Sequence, residues 1–171
     1  MIRSLILKRL DSEERALGVS LDYLRHIVRI SLPSFFKFFL FMPLSKNRRS
    51  LPASPYSVGR IVATRDEDCG TCVQIEVNLA KKARVPLAVL QAVLQQKPED
   101  LPEDLADVYR FTEAVVKASG GEAPYRERII GRYGQEAFVE LSLAIAAARL
   151  FPIIKRSLGY AVSCSLVEVK V

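Results

Sequence analysis

Asp66-Glu67-Asp68-Cys69-Gly70-Thr71-Cys72-Val73-Gln74-Ile75-Glu76-Val77-Asn78-Leu79-Ala80-Lys81-Lys82-Ala83 is the stretch that decides how this chain is read. Two of its cysteines are separated by two residues, on what the pattern predicts is the first turn of a helix. Unpaired N–H groups and the dipole at a helix start stabilise a thiolate, so the placement suits redox chemistry. The gap also allows the sulfurs to close into a small disulfide ring. With Glu76 at zero on a wheel of 100° per residue, Cys69 lies about 20° away, Cys72 and Ala80 about 40°, and Val73 and Leu79 about 60°. Gln74, Asn78, Lys81 and Lys82 fall opposite, which puts Glu76 at the centre of the apolar stripe. Burial there would favour its neutral form and let it take and return a proton. The alternative is an ion pair with an arginine of another helix, Arg60 and Arg65 being the candidates.

Outward from the motif, helix is predicted on both sides. Ser54-Pro55 reads as N-cap and first position of a helix running to about Glu67. That argues against a thioredoxin fold, which needs a strand before its C-x-x-C. Val85-Pro86 stops the cysteine helix, and a short helix follows over Leu87–Gln95. Lys97 to Pro102 is a turn opening a helix to Ala118, ended by Gly120-Gly121. A short helix over 124–132, a break at Gly134, an Ala/Leu-rich buried helix over Gln135–Leu150 and a final turn from Pro152 to Leu158 complete the core. Only Ser165–Val171 alternates at period two. The expected fold class is therefore all-α.

The first fifty residues differ in character. Asp11-Ser12-Glu13-Glu14 either starts a short helix or ends the one before it, and Ser20 caps a helix to Ser31. Pro33 opens Ser34–Met42, which crowds Phe35, Phe36, Phe38, Phe39 and Phe41 together. Residues 43–55, rich in Pro, Ser and basic residues, form a connector. Residues 1–50 are read as an aromatic-rich helical extension for packing or oligomerisation, and 51–171 as the core carrying the C-x-x-C helix. The phenylalanines cannot all face one core, so some must meet another surface. Subunit packing, with part of the stripe as pocket wall, is the preferred account, and interfacial membrane binding the lesser one.

Composition bounds the rest. The 171 residues are half hydrophobic, with three cysteines, one histidine and a net charge of +6. Twelve Lys/Arg face four Asp/Glu in residues 1–65, and thirteen face fifteen in the remainder. The basic residues of the first half are scattered, adjacent only at Lys8-Arg9 and Arg48-Arg49, so nucleic acid is not an expected partner. The N-terminus lacks a signal-peptide pattern, and Ile27–Leu44 is too interrupted to cross a bilayer. A cytoplasmic setting is expected, where a C-x-x-C pair is catalytic or metal-binding rather than a structural bridge. A zinc site from Cys69, Cys72, Cys164 and His26 lacks a second closely spaced ligand pair, so neither metal nor cofactor is expected. His26 reads as a packed or surface residue, and Cys164 as an unreactive buried thiol.

The run Glu67–Ala80 followed by Val85-Pro86 resembles the core of the carboxymuconolactone decarboxylase / alkyl hydroperoxidase D (AhpD)-like family. The alanine-rich helix and Phe151-Pro152 to Gly159-Tyr160 resemble one of its C-x-x-C subgroups. The resemblance covers about residues 45–164 and implies an oligomeric all-α bundle whose thiols reduce hydroperoxides. The chain departs from the family pattern in three places: Glu76 stands where the family has a His after the second Cys, Thr71 where another His is frequent, and Ser57 where a Glu is usual. By this resemblance Cys72 attacks the peroxide, and Cys69, taken as the more exposed thiol, closes the disulfide. An external dithiol then reduces the pair. Glu76 would be the proton carrier, and Thr71 would orient a water or the peroxide. The expected activity is a peroxidase-like oxidoreductase, with a hydroperoxide or other small molecule, the dithiol and further copies of the chain as partners. The alternatives are a decarboxylase-like enzyme acting on a small carboxylated ring compound, or a non-catalytic helical oligomer with a structural or sensory disulfide.

Overall fold

A computed structural model describes residues 2–163, whose regular secondary structure is all helical, with no strand among them. The alternating segment Ser165–Val171 and Cys164 lie outside the described residues. The extension holds α1 (Ile2–Leu17), α2 (Asp22–Ile30), α3 (Leu32–Phe39) and α4 (Met42–Ser45). The core holds α5 (Ala53–Asp66), α6 (Gly70–Lys82), α7 (Leu87–Leu94), a 3-10 turn at Pro98–Asp100, α8 (Glu103–Lys117) and α9 (Ala123–Ser157).

The bundle is built around α5. Val58, Ile61, Val62 and Ala63 are all fully buried, because α6, α8 and α9 pack on different sides of this helix. A helix apolar all round is stable only when enclosed in this way. Gly59 sets the closest approach: a Cβ there would meet Leu141 Cδ1 of α9 at 2.7 Å. The sequence predicts separate pieces over 124–132, 135–150 and 152–158; the first two are separated by a non-helical kink within α9, whereas the pieces on either side of Pro152 run together. The kink falls at Gly134, whose φ of 86° only glycine adopts readily. Pro152 lies inside the run rather than at a helix start. By length and composition α9 could cross a membrane; here Ala137, Leu141, Ala144 and Ala148 are buried within the bundle.

The extension has its own small core of Leu10, Leu21, Tyr23, Val28 and Phe35. Ile154, Leu158 and Tyr160, at and beyond the end of α9, pack against it, so the two cores meet there. Arg25 clasps α1 to α2, donating to Asp11 at 2.8 Å, to Asp22 at 3.0 Å and to Glu14. The acidic run at Asp11–Glu14 is thus interior to α1. The connector after α4 is pinned by one carboxylate. Glu140 of α9 accepts backbone N–H bonds from Arg49 at 2.8 Å, Ser50 at 3.0 Å and Leu51 at 2.8 Å. Burial pushes this carboxyl up, but those N–H bonds and the nearby Arg48 charge outweigh it and hold it below its ordinary value.

The phenylalanine stripe divides three ways. Phe35 enters the extension core, Phe38 and Phe41 pack edge-on against Phe151 of α9, and Phe36 and Phe39 point outward.

Candidate redox site

Cys69 and Cys72 form a disulfide with their Cα atoms 5.3 Å apart. Local backbone explains how the pair reaches the helix start. After α5 ends, Asp68 takes a left-handed φ of 47°, a conformation Asp tolerates better than most residues, and Cys69 becomes the N-cap of α6. The N–H groups of Cys72 and Val73 then bond to the Cys69 carbonyl. The N–H of Gly70 donates to Val162 O at 3.0 Å, so the segment after α9 crosses the motif.

The burial of the two cysteine residues reverses the sequence expectation. Cys69, expected to be the more accessible thiol, is 0% exposed, and Cys72 is 7% exposed. Position at a helix end implies exposure only when nothing covers that end, and here the chain after α9 does so.

A side chain that the sequence reading missed completes the site. Lys155 of α9, only 4% exposed, donates from Nζ to Thr71 Oγ1 at 2.5 Å. Thr71 Oγ1 lies 3.6 Å from Cys69 Sγ. An ammonium can only donate, so the Thr71 oxygen accepts from Lys155 and its own proton is free for the sulfur. The result is a directed chain, Lys155 Nζ–H to Thr71 O–H to Cys69 Sγ. The Tyr23 ring of α2 covers the ammonium, its centroid 5.8 Å from Nζ. Burial lowers the affinity of Lys155 for its proton, and the charge of Asp22 offsets part of that. Nothing in the sequence marks Lys155 except a basic residue one turn after Pro152 in an apolar helix, and its eighty-four-residue separation from Thr71 is bridged only by tertiary packing.

Glu76 is buried as the wheel requires, and of the two roles left open for it the structure displays the ion pair. Arg60 Nε and Nη2 each donate to one of its oxygens at 2.7 Å. Arg60 also donates to Ser45 O at 3.0 Å and stacks on Tyr56, which itself donates to Ser45 O at 2.7 Å. Arg65, the other candidate, instead donates to Val93 O and Tyr109 OH. The wheel needs one adjustment: Leu79 is 42% exposed and Val77 fully buried, so the buried sector is centred between Val73 and Ala80. Ser57 is buried in α5. His26 is engaged with Tyr160, Nδ1 to the hydroxyl at 3.3 Å. Among the described residues no cluster of His, Cys, Asp and Glu could hold a metal ion.

Glu67, two residues before Cys69, is a second buried carboxylate, bonded by Arg149 Nε and reached by Arg156 at 3.4 Å. It ties the start of the motif to the same end of α9 that carries Lys155. No family model, curated protein or solved structure matches this chain.

Proposed function

We propose that the protein is a dithiol–disulfide oxidoreductase that reduces hydroperoxides, as its resemblance to the AhpD-like family implies. The observation that carries this reading is the hydrogen-bonded chain from Lys155 through Thr71 to Cys69. A redox disulfide needs a proton source for the sulfur that leaves and a reachable sulfur for the incoming thiolate. Cys72, the cysteine that keeps residual exposure, takes the incoming thiolate of an external dithiol. The Cys69–Cys72 bond breaks, its electron pair stays on Cys69, and a proton moves from Lys155 through Thr71 to that sulfur. The second thiolate of the dithiol then attacks the mixed disulfide at the partner sulfur and releases Cys72.

In the forward half-reaction the Cys72 thiolate attacks the terminal peroxide oxygen. The O–O bond breaks, alkoxide leaves and is protonated, and Cys72 becomes a sulfenic acid. Cys69 condenses with it, expelling water and restoring the disulfide. Lys155 occupies the functional place of the absent family histidines, and Thr71 relays the proton. Glu76 holds Arg60 and, through it, the position of α6 against α5 and α4.

The test begins from fully reduced protein mixed with an organic hydroperoxide, with free thiols counted by maleimide mass tagging. Two thiols are expected to disappear per peroxide and to return on adding a dithiol. Cys72→Ser and Cys69→Ser should each abolish this disulfide formation. Turnover of peroxide by the double serine variant would overturn the reading, as would unreacted thiols in the wild-type protein. Lys155→Met should slow dithiol reduction of the disulfide about tenfold or more and flatten its pH profile, given typical general-acid contributions.

A further inference from the structure

We infer that the outward face of α3 and its flanking residues forms a docking surface for an anionic lipid bilayer. At 100° per residue, Phe36, Phe39 and Leu40 fall within about 100° of one another. Phe36 and Phe39 flank the buried Phe35, each ring centroid 5.9 Å from it, and present their outer sides to solvent, while Phe38 packs against Phe151. Leu40 is 78% exposed, Ile30 just before α3 73%, and Phe39 55%. Bulky apolar side chains so exposed and so close in sequence call for a partner that removes them from water.

Charge selects that partner. No Asp or Glu occurs between Asp22 and Asp66. Arg29, Lys37, Lys46 and Arg49 are exposed there and form no ion pair among the described residues, while Arg25 is paired with Asp11, Glu14 and Asp22, and Arg60 with Glu76. Lys37 is on α3 itself, and neither α3 nor α4 carries a carboxylate, so joining two copies through this face would bring like charges together without a local counter-charge. An anionic headgroup layer meets the cations and admits the apolar side chains in one step, the combination by which interfacial helices bind. Ile30 and Leu40 have no flat face for stacking on a nucleic-acid base, which favours lipid over a single strand.

The chain contains no tryptophan, so Leu40→Trp supplies a single reporter. Its emission should shift to the blue with phosphatidylglycerol-containing vesicles at low salt, stay unshifted with pure phosphatidylcholine, and revert as salt is raised. Adding Phe36→Ser and Phe39→Ser should weaken partitioning at least about tenfold, and so should Arg29→Glu with Lys37→Glu, while helicity by circular dichroism stays unchanged. Several results would overturn the assignment: no shift with anionic vesicles, an equal shift with neutral ones, or the same shift with single-stranded oligonucleotide. An oligomer in solution that Phe36→Ser/Phe39→Ser dissociates would show the face to be a contact between copies instead.

Discussion

Glu76 and Lys155 are two buried charges handled in opposite ways. Glu76 is matched by a guanidinium that meets both its oxygens, with Ser45 O taking a further hydrogen of Arg60. Removing one member of such a pair leaves the other buried and unmatched, which typically costs about 3–5 kcal/mol. Glu76→Gln should therefore lower unfolding free energy by about that amount in urea titration, and Arg60→Met with Glu76→Leu should recover most of it. If the single variant were neutral, the pair would contribute nothing to the bundle. Lys155 has no carboxylate at hydrogen-bond distance, only the Thr71 hydroxyl and the Tyr23 ring. Its proton is consequently held more loosely than an exposed lysine's. Between its folded value and the ordinary 10.5 the unfolded chain binds more protons, so stability rises with pH across that window. Lys155→Met should remove this rise from a series of melts taken on the alkaline side of neutrality.

At the scale of elements, α5 and α9 make the frame and Glu140 secures the connector to it. Three consecutive N–H groups converge on that carboxylate, substituting for the secondary structure that residues 49–51 lack. The Glu140 carboxyl is held below the ordinary 4.5 in the fold, so its contribution is fully present above the unfolded value. That contribution is lost as pH falls through the folded value. Glu140→Gln should destabilise the protein at neutral pH and reduce the steepness of its acid unfolding. An unchanged acid limb in fluorescence-detected or circular-dichroism titration would show that other carboxylates govern it. The stop at Val85-Pro86 and the kink at Gly134 were readable locally, because each carries its own punctuation in φ and in hydrogen-bond donors. Ser54-Pro55 marked the helix but not its cap: α5 starts at Ala53, with Pro52 as N-cap and no side-chain cap, so both residues lie within its first turn. The predicted helix over Leu87–Gln95 corresponds to α7, and the run opening after Pro102 to α8. The separation at Pro152 was not legible correctly, because Pro152 lies inside α9, where its neighbours in both cores favour a continuous helix.

Across the whole molecule, the two hydrophobic cores meet at the C-terminal end of α9, the end that carries Lys155 and Tyr160. Tyr23, seated in the extension core, covers the Lys155 ammonium, so the extension and the disulfide are mechanically linked. Loosening the extension should then expose the site without dismantling the bundle. Val28→Ala, at a position with no exposure, should cost about 1–2 kcal/mol through the cavity it leaves. Its distinctive effect should be faster reduction of Cys69–Cys72 by an external dithiol, followed by thiol release. An unchanged reduction rate in a destabilised Val28→Ala variant would show that the extension does not govern access.

Sequence alone determined that the chain is helical, that Cys69 and Cys72 open one helix, and that Glu76 points into its buried side. Each of these follows from spacing along the chain, because helix periodicity and turn chemistry act over a few residues. Tertiary structure alone decided which charges meet and which sulfur is covered. Arg60 rather than Arg65 reaches Glu76, and the helix-start cysteine is fully buried where Val162, far along the chain, accepts a bond from the adjacent Gly70. Lys155 reaches Thr71 only because α9 returns to the motif across eighty-four residues. Contacts of that separation depend on how whole helices pack, which no local pattern encodes. The C-x-x-C pairing was thus legible in the stretch itself, and the fold alone placed Lys155 and Thr71 beside it.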